Sequence, residues 1–324
     1  TWGERHADYI PRVFSEWAAS DDPDSATLVA TLRPEALGGS NAVASADARE
    51  PGDTLVAGDG TGAAPEGESE AVVGCIQGVL LSEWEAWGQG IRVDPAARGL
   101  GVGTALSTAA LEWARDRGAT VCRNMVFSWN VMGLGQSRAA GFDPATEFRF
   151  AEPVPDPSAL DDGGKTASVE VVADPDPNAA WAFWTTSDAR SHLNGLAVDP
   201  EEPWACSALT RERLATAAAA DLLLAVADAD GFAGIAVRVR VSEREADGET
   251  VRTAVYGVAA WRDAGAAGAL YDAIAADAAA VDADAARVLI PETVDHVSET
   301  GANRVAVAAE PDFVMSADLT GDRP

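Results

Sequence analysis

Lysine is almost missing from this sequence. Its 324 residues include one lysine, Lys165, against 22 arginines, and the formal net charge is −29. Phosphate backbones require basic patches, so this composition argues against a nucleic-acid partner. Because the acidic residues are spread along the chain and not gathered in a tail, we interpret them as a hydrated surface suited to a very salty cytoplasm. A basic partner protein is the alternative explanation.

Cysteine is scarce, and long apolar runs are absent from the sequence. Cys75, Cys122 and Cys206 lie far apart and form no C-x-x-C pair, so we predict small buried side chains in a reducing compartment. No apolar run has the length of a membrane span, and no signal-peptide pattern is visible. The three histidines lack ligand spacing, which argues against a metal site. We therefore expect a cytoplasmic protein without a metal or a membrane partner.

One segment has a pattern that is typical of anion binding. The run Val93-Asp-Pro-Ala-Ala-Arg98-Gly-Leu-Gly101-Val-Gly103-Thr104 joins an apolar strand to an amphipathic stretch over residues 104–117. Glycines allow the backbone to approach a ligand closely, and the N–H groups at a helix N-terminus favour an anion such as pyrophosphate. No lysine follows the glycines, which excludes a Walker P-loop. Leu106 stands where a dinucleotide fingerprint needs its third glycine.

The remaining pattern, Arg98-x-x-Gly101-x-Gly103 after Val-x-Pro, resembles the acyl-CoA pyrophosphate loop of the GNAT superfamily of N-acetyltransferases. The resemblance covers residues 70–150, including Asn130 and the pair Gly141-Phe142. It implies an α/β fold with a mixed, mostly antiparallel central sheet and flanking helices. It also implies acetyl-CoA, or another acyl-CoA, as the cofactor.

The second half of the chain repeats the element order of the first, and we predict two tandem GNAT-like domains. The predicted boundaries are 1–152 for an acyl-CoA-binding domain, 153–165 for a Pro- and Gly-rich linker, and 166–324 for a degenerate copy. When Val258 is aligned with Val93, Asp263 falls on Arg98 and Ala266 falls on Gly101. An aspartate repels phosphate, so we expect only the first copy to hold the cofactor.

The residues before position 70 give weaker secondary-structure signals. Residues 4–19 are predicted to form a helix disturbed by Pro11, and residues 24–32 fit a helix or a strand. We predict a loop over 38–53, a short strand over 54–57 and a turn over 58–67. Tryptophans in the second half, among them Trp204, are predicted at a domain interface or, alternatively, at a substrate pocket.

The resemblance implies a role for each residue of the cofactor loop. Arg98 adds positive charge, and Asn130 either faces the cofactor or caps a helix. The main-chain edge of the preceding strand pairs with the pantetheine arm of the cofactor. Backbone N–H groups bind the pyrophosphate. The strand edge consists of Ile91, Arg92 and Val93, and the N–H groups belong to Gly99, Leu100, Gly101, Val102, Gly103 and Thr104.

Catalysis by direct attack requires a base for the amine and a way to release the thiolate. In a regular strand, Glu83 and Glu85 share one face with Trp87, Gln89 and Ile91, and Glu85 is the first candidate for the base, with Glu83 second.

The family tyrosine that protonates the thiolate is replaced by Ser137, four residues before Gly141, and a serine hydroxyl is a poor acid. Either a water or another residue protonates the sulfur, or the thiolate leaves unprotonated, since a thiol has a pKa of only about 8.5, or catalysis has been lost.

The sequence therefore predicts an N-acyltransferase that moves an acetyl group from acetyl-CoA to a primary amine of a small molecule or peptide. A non-catalytic acyl-CoA-binding sensor or scaffold is the second hypothesis, based on Ser137 and the degenerate second copy. A module that binds basic proteins is a third hypothesis.

Overall fold

The computed structural model describes residues 8–32, 71–161, 169–246 and 248–321. The chain divides into two compact units, one of Thr1–Pro144 with Met315–Pro324 and one of Ala145–Val314. The predicted loop at 38–53, strand at 54–57, turn at 58–67 and the end of the linker lie outside the described residues. The same holds for residues 4–7 of the predicted first helix.

The helices and strands of the described residues follow in chain order. They are α1 (Ile10–Ala19), β1 (Ser25–Leu32), β2 (Ala71–Leu80), β3 (Glu85–Val93), α2 (Val102–Asp116), β4 (Val121–Phe127), α3 (Val131–Ala139), β5 (Asp143–Glu152), β6 (Glu170–Val171), α4 (Pro177–Thr186), α5 (Asp188–His192), β7 (Leu196–Val198), β8 (Cys206–Ala208), α6 (Arg211–Ala219), β9 (Leu223–Asp228), β10 (Gly231–Ala246), β11 (Glu249–Trp261), α7 (Ala264–Ala280), β12 (Ala285–Pro291), α8 (Val294–Ala302), β13 (Ala306–Val307) and β14 (Asp312–Asp318).

The first unit is a sheet with helices packed on it. Strands β1, β2 and β3 are antiparallel neighbours, and β4 runs parallel to β3. The apolar face of α2 lies on this sheet, where Val102, Leu106 and Ala110 pack in one cluster with Val73 and Ile76. An amphipathic helix that buries one stripe against a sheet is the arrangement that the sequence pattern predicts.

Two strands pass from one compact unit to the other along the chain. The residues of β5 from Ala145 onward belong to the second unit, whereas β14 returns to the first unit at Met315. There Met315 and Leu319 pack with Ala86 and Ala114, and the Leu319 N–H donates to the Thr120 carbonyl at 2.9 Å. The compact units thus differ from the sequence-based domains at 145–152 and 315–324. The boundaries predicted for the sequence repeat stay a prediction.

From α6 to α8 the second unit repeats the element order that the first has from α1 to α3. Strands β9, β10 and β11 are antiparallel, β12 runs parallel to β11, and β5 pairs with the far side of β12. The alanine-rich helix α7 connects β11 to β12 as α2 connects β3 to β4. Each unit is thus a mostly antiparallel mixed sheet with flanking helices. This finding confirms the predicted fold class of two tandem α/β domains.

Most predicted elements are present, with corrections at the N-terminus. Helix α1 begins at Ile10, and Pro11 stands in its first turn, where a missing N–H costs nothing. The ambiguous segment 24–32 forms strand β1. His192 ends the short helix α5. The sequence did not indicate β7, β8 or β13, because elements of two or three residues have no measurable periodicity. Among the described helices, none has the length and apolarity needed to cross a bilayer.

Candidate functional site

Strands β3 and β4 separate shortly after they begin to pair. Their ladder contains only the pairs Glu85–Val121, Ala86–Cys122 and Trp87–Arg123, although β3 runs on to Val93 and β4 to Phe127. Strands that part while their neighbours stay paired leave a gap in the sheet and an open main-chain edge on each side. An extended ligand with amide groups can pair with such an edge as an additional strand.

A bulge at Gly90 shapes the β3 side of this gap. The register jumps from Gln77–Gln89 to Cys75–Arg92, so that two residues of β3 oppose one residue of β2. Gly90 has φ +65°, and a Cβ at this position would lie 2.6 Å from the ring of Trp17. Glycine is therefore required here both by conformation and by the close approach of α1.

The bulge corrects the predicted face of the strand. Ile91 joins the cluster beneath α2 and does not share a face with Trp87 and Gln89, because the extra residue reverses the alternation.

The glycine loop ends in an open helix N-terminus. Gly99 and Gly101 have φ values of +78° and +79°, and Gly101 is the N-cap of α2. In the described structure no side chain caps this helix, while the Gly101 carbonyl accepts from Ala105 N–H at 3.0 Å. The first N–H groups of α2, from Val102 onward, therefore point out of the helix with the positive end of its dipole. This is the geometry that binds phosphate oxygens.

The surroundings of the loop hold it in place. Asp94 caps the short 3₁₀ turn Pro95–Ala97 through Ala96 N–H at 2.7 Å, and Arg98 follows with an exposed side chain. On the inner side, Gln136 Nε2 donates to the Gly103 carbonyl at 3.0 Å and to Ser107 Oγ at 2.7 Å. These bonds tie α3 to the first turn of α2. The sequence did not single out Gln136, since nothing in its spacing indicates this contact.

Glu85 lies at the closed end of the gap and is fully buried. Its Oε1 accepts a hydrogen bond from Arg123 Nη1 at 2.6 Å, and Ser82 Oγ donates to its Oε2 at 3.3 Å. Only 2% of the Glu85 side chain and 13% of the Arg123 side chain are exposed. Glu83, in contrast, is exposed in the turn before β3. The prediction that either carboxylate is the base is not tested by this arrangement, but Arg123 competes for the lone pairs that Glu85 would use.

Ser137 and Asn130 have defined hydrogen-bond partners on α3. Ser137 is buried, and its hydroxyl accepts from Asn124 Nδ2 on β4 at 3.1 Å. Asn130 is the N-cap of α3, where its Oδ1 accepts from Gly133 N–H at 3.0 Å. Of the two roles predicted for Asn130, the helix cap is therefore observed. A role toward a cofactor stays a prediction.

Arg92, at the end of β3, belongs to the strand edge that was predicted to pair with the cofactor. Arg92 pairs with Asp8 at 3.0 Å and lies over the ring of Tyr9. This ion pair joins the segment before α1 to the end of β3. The side chain of Arg92 thus has a packing role, whereas its main chain, with that of Val93, lies on the open strand.

The equivalent helix N-terminus in the second unit is closed. Asp263 caps α7, and its Oδ1 accepts from the N–H groups of Gly265 and Ala266, each at 3.0 Å. Arg262 pairs with the same carboxylate, and these contacts hold the pKa of Asp263 below its usual value. A carboxylate already occupies the N–H groups that are open in α2, and it would repel an incoming phosphate.

Comparisons with known proteins agree with this geometry. Residues 17–131 match the family described as acetyltransferase (GNAT) family. Over these residues the chain is similar to the GNAT family. The matched range includes the separating strands, the glycine loop and the cap of α3. Searches of curated proteins gave no match.

One solved structure supports the same fold over most of the chain, and a second is similar at a lower TM-score. A GCN5-related N-acetyltransferase from Sphaerobacter thermophilus is 16% identical, with a TM-score of 0.50, over 81% of this chain and 79% of that chain. A tandem GNAT protein from the clavulanic acid biosynthesis pathway is 16% identical, with a TM-score of 0.45, over 78% of this chain and 81% of its own. At this identity the likeness concerns the fold alone.

Proposed function

We propose that this protein is an N-acyltransferase that moves an acetyl group from acetyl-CoA to a primary amine, and that the first unit holds the cofactor. The observation that carries the proposal is the open N-terminus of α2 beside the gap between β3 and β4, within the segment that matches the GNAT family. A pyrophosphate and an amide-bearing arm need these two features side by side. The capped N-terminus of α7 explains why one site per chain is expected.

The main chain of the first unit offers acetyl-CoA a glycine loop and an open strand edge. The N–H groups of Gly99 and of Gly101 to Thr104 would hold the pyrophosphate, with Arg98 adding charge from the exposed side of the loop. Leu100 N–H donates to the Ala97 carbonyl at 3.4 Å and would have to exchange this bond to join them. Gly103 allows Gln136 to pack closely against the first turn of α2, since a Cβ there would lie 3.2 Å from Gln136 Cγ. The open edge of Ile91, Arg92 and Val93 would pair with the pantetheine arm. When bound, acetyl-CoA supplies the activated acyl carbon.

The protein part of the reaction consists of positioning and proton transfer. A main-chain N–H on β3 near Val93 would stabilise the charge that develops on the carbonyl oxygen. Glu85, or Glu83 through a water, would accept the proton of the amine, although Glu85 must first loosen its bond to Arg123. Ser137 is bonded to Asn124 and has no acidity suited to protonating a thiolate. We therefore propose that the thiolate leaves unprotonated or takes its proton from water.

A non-catalytic acyl-CoA sensor or scaffold is the second candidate function. The observation that favours it is the Glu85–Arg123 ion pair together with the Ser137–Asn124 hydrogen bond. Both predicted proton-transfer groups are engaged by partners inside the protein. Tight binding of acetyl-CoA without turnover of any amine would support this candidate over the enzyme.

The surroundings in which the protein works are part of the proposal. We propose that the protein works in a very salty cytoplasm. It has 52 acidic residues and only 23 basic ones, and the excess negative charges repel one another in dilute buffer. The substrate would be the amine of a small molecule or a peptide. This charge disfavours nucleic acid and anionic membranes as partners.

The decisive experiment is calorimetric titration of acetyl-CoA in molar KCl. The native chain should bind one equivalent, and Gly101→Glu should lose binding because the new carboxylate sits at the mouth of the N–H groups. Thr108→Glu is the matched control, since it adds the same charge to an exposed position further along α2. Equal affinity in all three proteins would refute the site. If binding is lost as expected, release of free thiol with a panel of amines separates the enzyme from the sensor.

A further inference from the structure

A cluster of side chains that the proposed function does not use lies around Arg287 in the other unit. This residue lies on β12 and is mostly buried. Its guanidinium carbon is 3.5 Å from the centre of the Phe150 ring and 5.0 Å from that of the Trp204 ring. Within the described ranges, no oxygen accepts a hydrogen bond from it and no carboxylate lies at ion-pair distance. The five N–H donors of an arginine are normally satisfied when the side chain is buried.

The first unit shows what normally accompanies an arginine at this position. Arg123 occupies the third pair of the β3–β4 ladder, as Arg287 occupies the third pair of the β11–β12 ladder. In the first unit Glu85, from the first pair of its ladder, neutralises Arg123. The first pair of the second ladder carries Thr253 instead. The second unit therefore keeps the buried arginine and lacks the acid that matches it.

The loop that carries Trp204 is built to hold its ring in place. Trp204 has φ +72°, a conformation that is strained for a bulky residue, and its side chain is about half exposed. Asp199 N–H donates to the Ala205 carbonyl at 2.8 Å and closes the loop. Arg240 Nη1 donates to the Asp199 carbonyl at 2.7 Å and fixes the loop to β10. Strain that is held by several bonds is characteristic of binding sites.

Charged groups of both signs surround Arg287. Burial lowers the pKa of Arg287 to about 10, and Arg240 and Arg244 act in the same direction. Asp312 and Glu152 are the acidic groups that favour its charge. Asp312 is itself buried, and burial raises the pKa of this carboxyl to about 6. A cation in such surroundings gains most from an anion that accepts its N–H groups, because aromatic rings offer no oxygen acceptor.

We propose that Arg287, framed by Phe150 and Trp204, is the anion-binding residue of a second ligand site, which takes a small organic molecule through its carboxylate or phosphate group. The two aromatic rings offer no oxygen acceptor, so the guanidinium N–H donors remain for two parallel hydrogen bonds to the oxyanion. The half-exposed ring of Trp204 forms the mouth of the site, where the organic part of the ligand packs. This site is separate from the glycine loop and does not depend on acetyl-CoA binding there.

Equilibrium dialysis with radiolabelled inorganic phosphate, and separately with radiolabelled acetate, tests the proposal. The chain used carries Gly101→Glu, which blocks the N-terminus of α2 as a second anion site. At constant ionic strength we expect one equivalent of one probe to bind at millimolar concentrations. Preference for phosphate assigns a phosphoryl ligand, and preference for acetate assigns a carboxylate ligand. Binding of neither probe would overturn the proposal.

Variants connect the binding to the residue. Arg287→Gln should lower the affinity for the probe about tenfold or more. Arg211→Gln, at an exposed arginine of the same unit, should leave the affinity unchanged. If Arg287→Gln does not fold, Arg287→Lys answers the same question. It keeps the charge and most of the stem but cannot form two parallel bonds, so about tenfold weaker binding is again expected. Unchanged affinity in Arg287→Lys, or equal loss in Arg211→Gln, would refute the site.

Discussion

Glu85 Oε1 and Arg123 Nη1 lie 2.6 Å apart at the point where β3 and β4 stop pairing. Both side chains are largely out of water, so each depends on the other for its charge to be tolerated. The pair lies at the closed end of the gap and joins the two strands there by their side chains. Beyond it, the main chains of the strands diverge and leave the edge that the proposed cofactor would use.

Removal of one partner of this pair should therefore cost stability. We expect Glu85→Gln to lower the free energy of unfolding by about 3 kcal/mol, because Arg123 is left as a buried, unpaired charge. The double variant Glu85→Gln/Arg123→Met should recover part of this loss, as a double-mutant cycle measures directly. Urea unfolding of the three proteins gives the values. An unchanged stability together with a collapsed turnover would identify Glu85 as the catalytic base and not as a structural ion pair.

The bulge in β3 gives a matched pair of glycine substitutions. Gly90→Ala should destabilise the protein by more than about 2 kcal/mol. The left-handed backbone conformation accounts for about 1–2 kcal/mol of this, and the overlap of the new Cβ with Trp17 adds the rest. Gly99→Ala has a similar φ but open space around its Cβ, so only the backbone cost applies. Thermal unfolding of both variants measures the difference. Equal destabilisation would mean that α1 does not pack on the bulge as described.

Ser137 offers a test of how the thiolate is released. Ser137→Ala should lower stability by about 1 kcal/mol, since the side chain of Asn124 loses its hydroxyl partner. If the enzyme proposal holds, kcat should change by less than about threefold, because a serine hydroxyl supplies no useful acid. Steady-state assays of thiol release compare the variant with the native chain. A loss of two or more orders of magnitude in kcat would show that Ser137 takes part in proton transfer.

The glycine loop and most helices and strands were predictable because their signals are local. Gly101 before an amphipathic run defines a helix N-terminus that is open to an anion. Asp263, which aligns with Arg98, predicts a helix N-terminus that repels an anion, because its side chain is negatively charged. The apolar run Ala71–Leu80 and the 3.6-residue period of α2 identify their elements from a few residues each. The bulge had a local signal as well: Gly88 and Gly90 interrupt the strand, and glycine inside a strand is typical of a bulge.

Other features depend on partners that are distant in the sequence. The acid that neutralises Arg123 and the amide that bonds Ser137 come from neighbouring strands, and no spacing in the sequence indicates these pairs. The return of β14 to the first unit could not be predicted, because each unit alone has a plausible order of elements. The site at Arg287 is formed by residues from β5, a loop and β12. Single-sequence reasoning placed Trp204 at an interface or a pocket, and that interpretation stays a prediction.

The excess of acid predicts a dependence of stability on salt. The melting temperature should rise as KCl is increased from about 0.1 M to above 1 M, because screening reduces the repulsion among like charges. Ion pairs such as Arg252–Glu243, which is exposed, weaken with salt but contribute little. Calorimetry at several KCl concentrations measures the trend, with sucrose at matched osmolarity as the control for solvent exclusion. A melting temperature that falls with KCl would contradict the salt adaptation.

His296 predicts how stability depends on pH in the second unit. Its ring is buried against Trp261 at 4.9 Å, and Nδ1 bonds to the Thr293 hydroxyl at 2.8 Å. Nε2 has no hydrogen-bond partner among the described residues. Burial lowers the pKa of His296 to about 4, with His192 acting in the same direction and Asp188 and Asp295 against it.

The sign of the effect follows from linkage. The unfolded chain binds a proton on this histidine near pH 6.5, whereas the folded chain binds it only near pH 4. The neutral ring therefore contributes its full stability above pH 6.5, and this is lost as the pH falls from 6.5 to 4, by a total of about 3 kcal/mol.

Many carboxylates titrate over the same range, so the measured quantity is the difference between the native chain and His296→Phe, which keeps a ring against Trp261. Urea unfolding from pH 7.5 to 4.5 should show the native chain losing stability relative to the variant. A difference that stays constant with pH would mean that His296 is protonated at its ordinary pKa in the folded protein, which its burial beside Trp261 argues against.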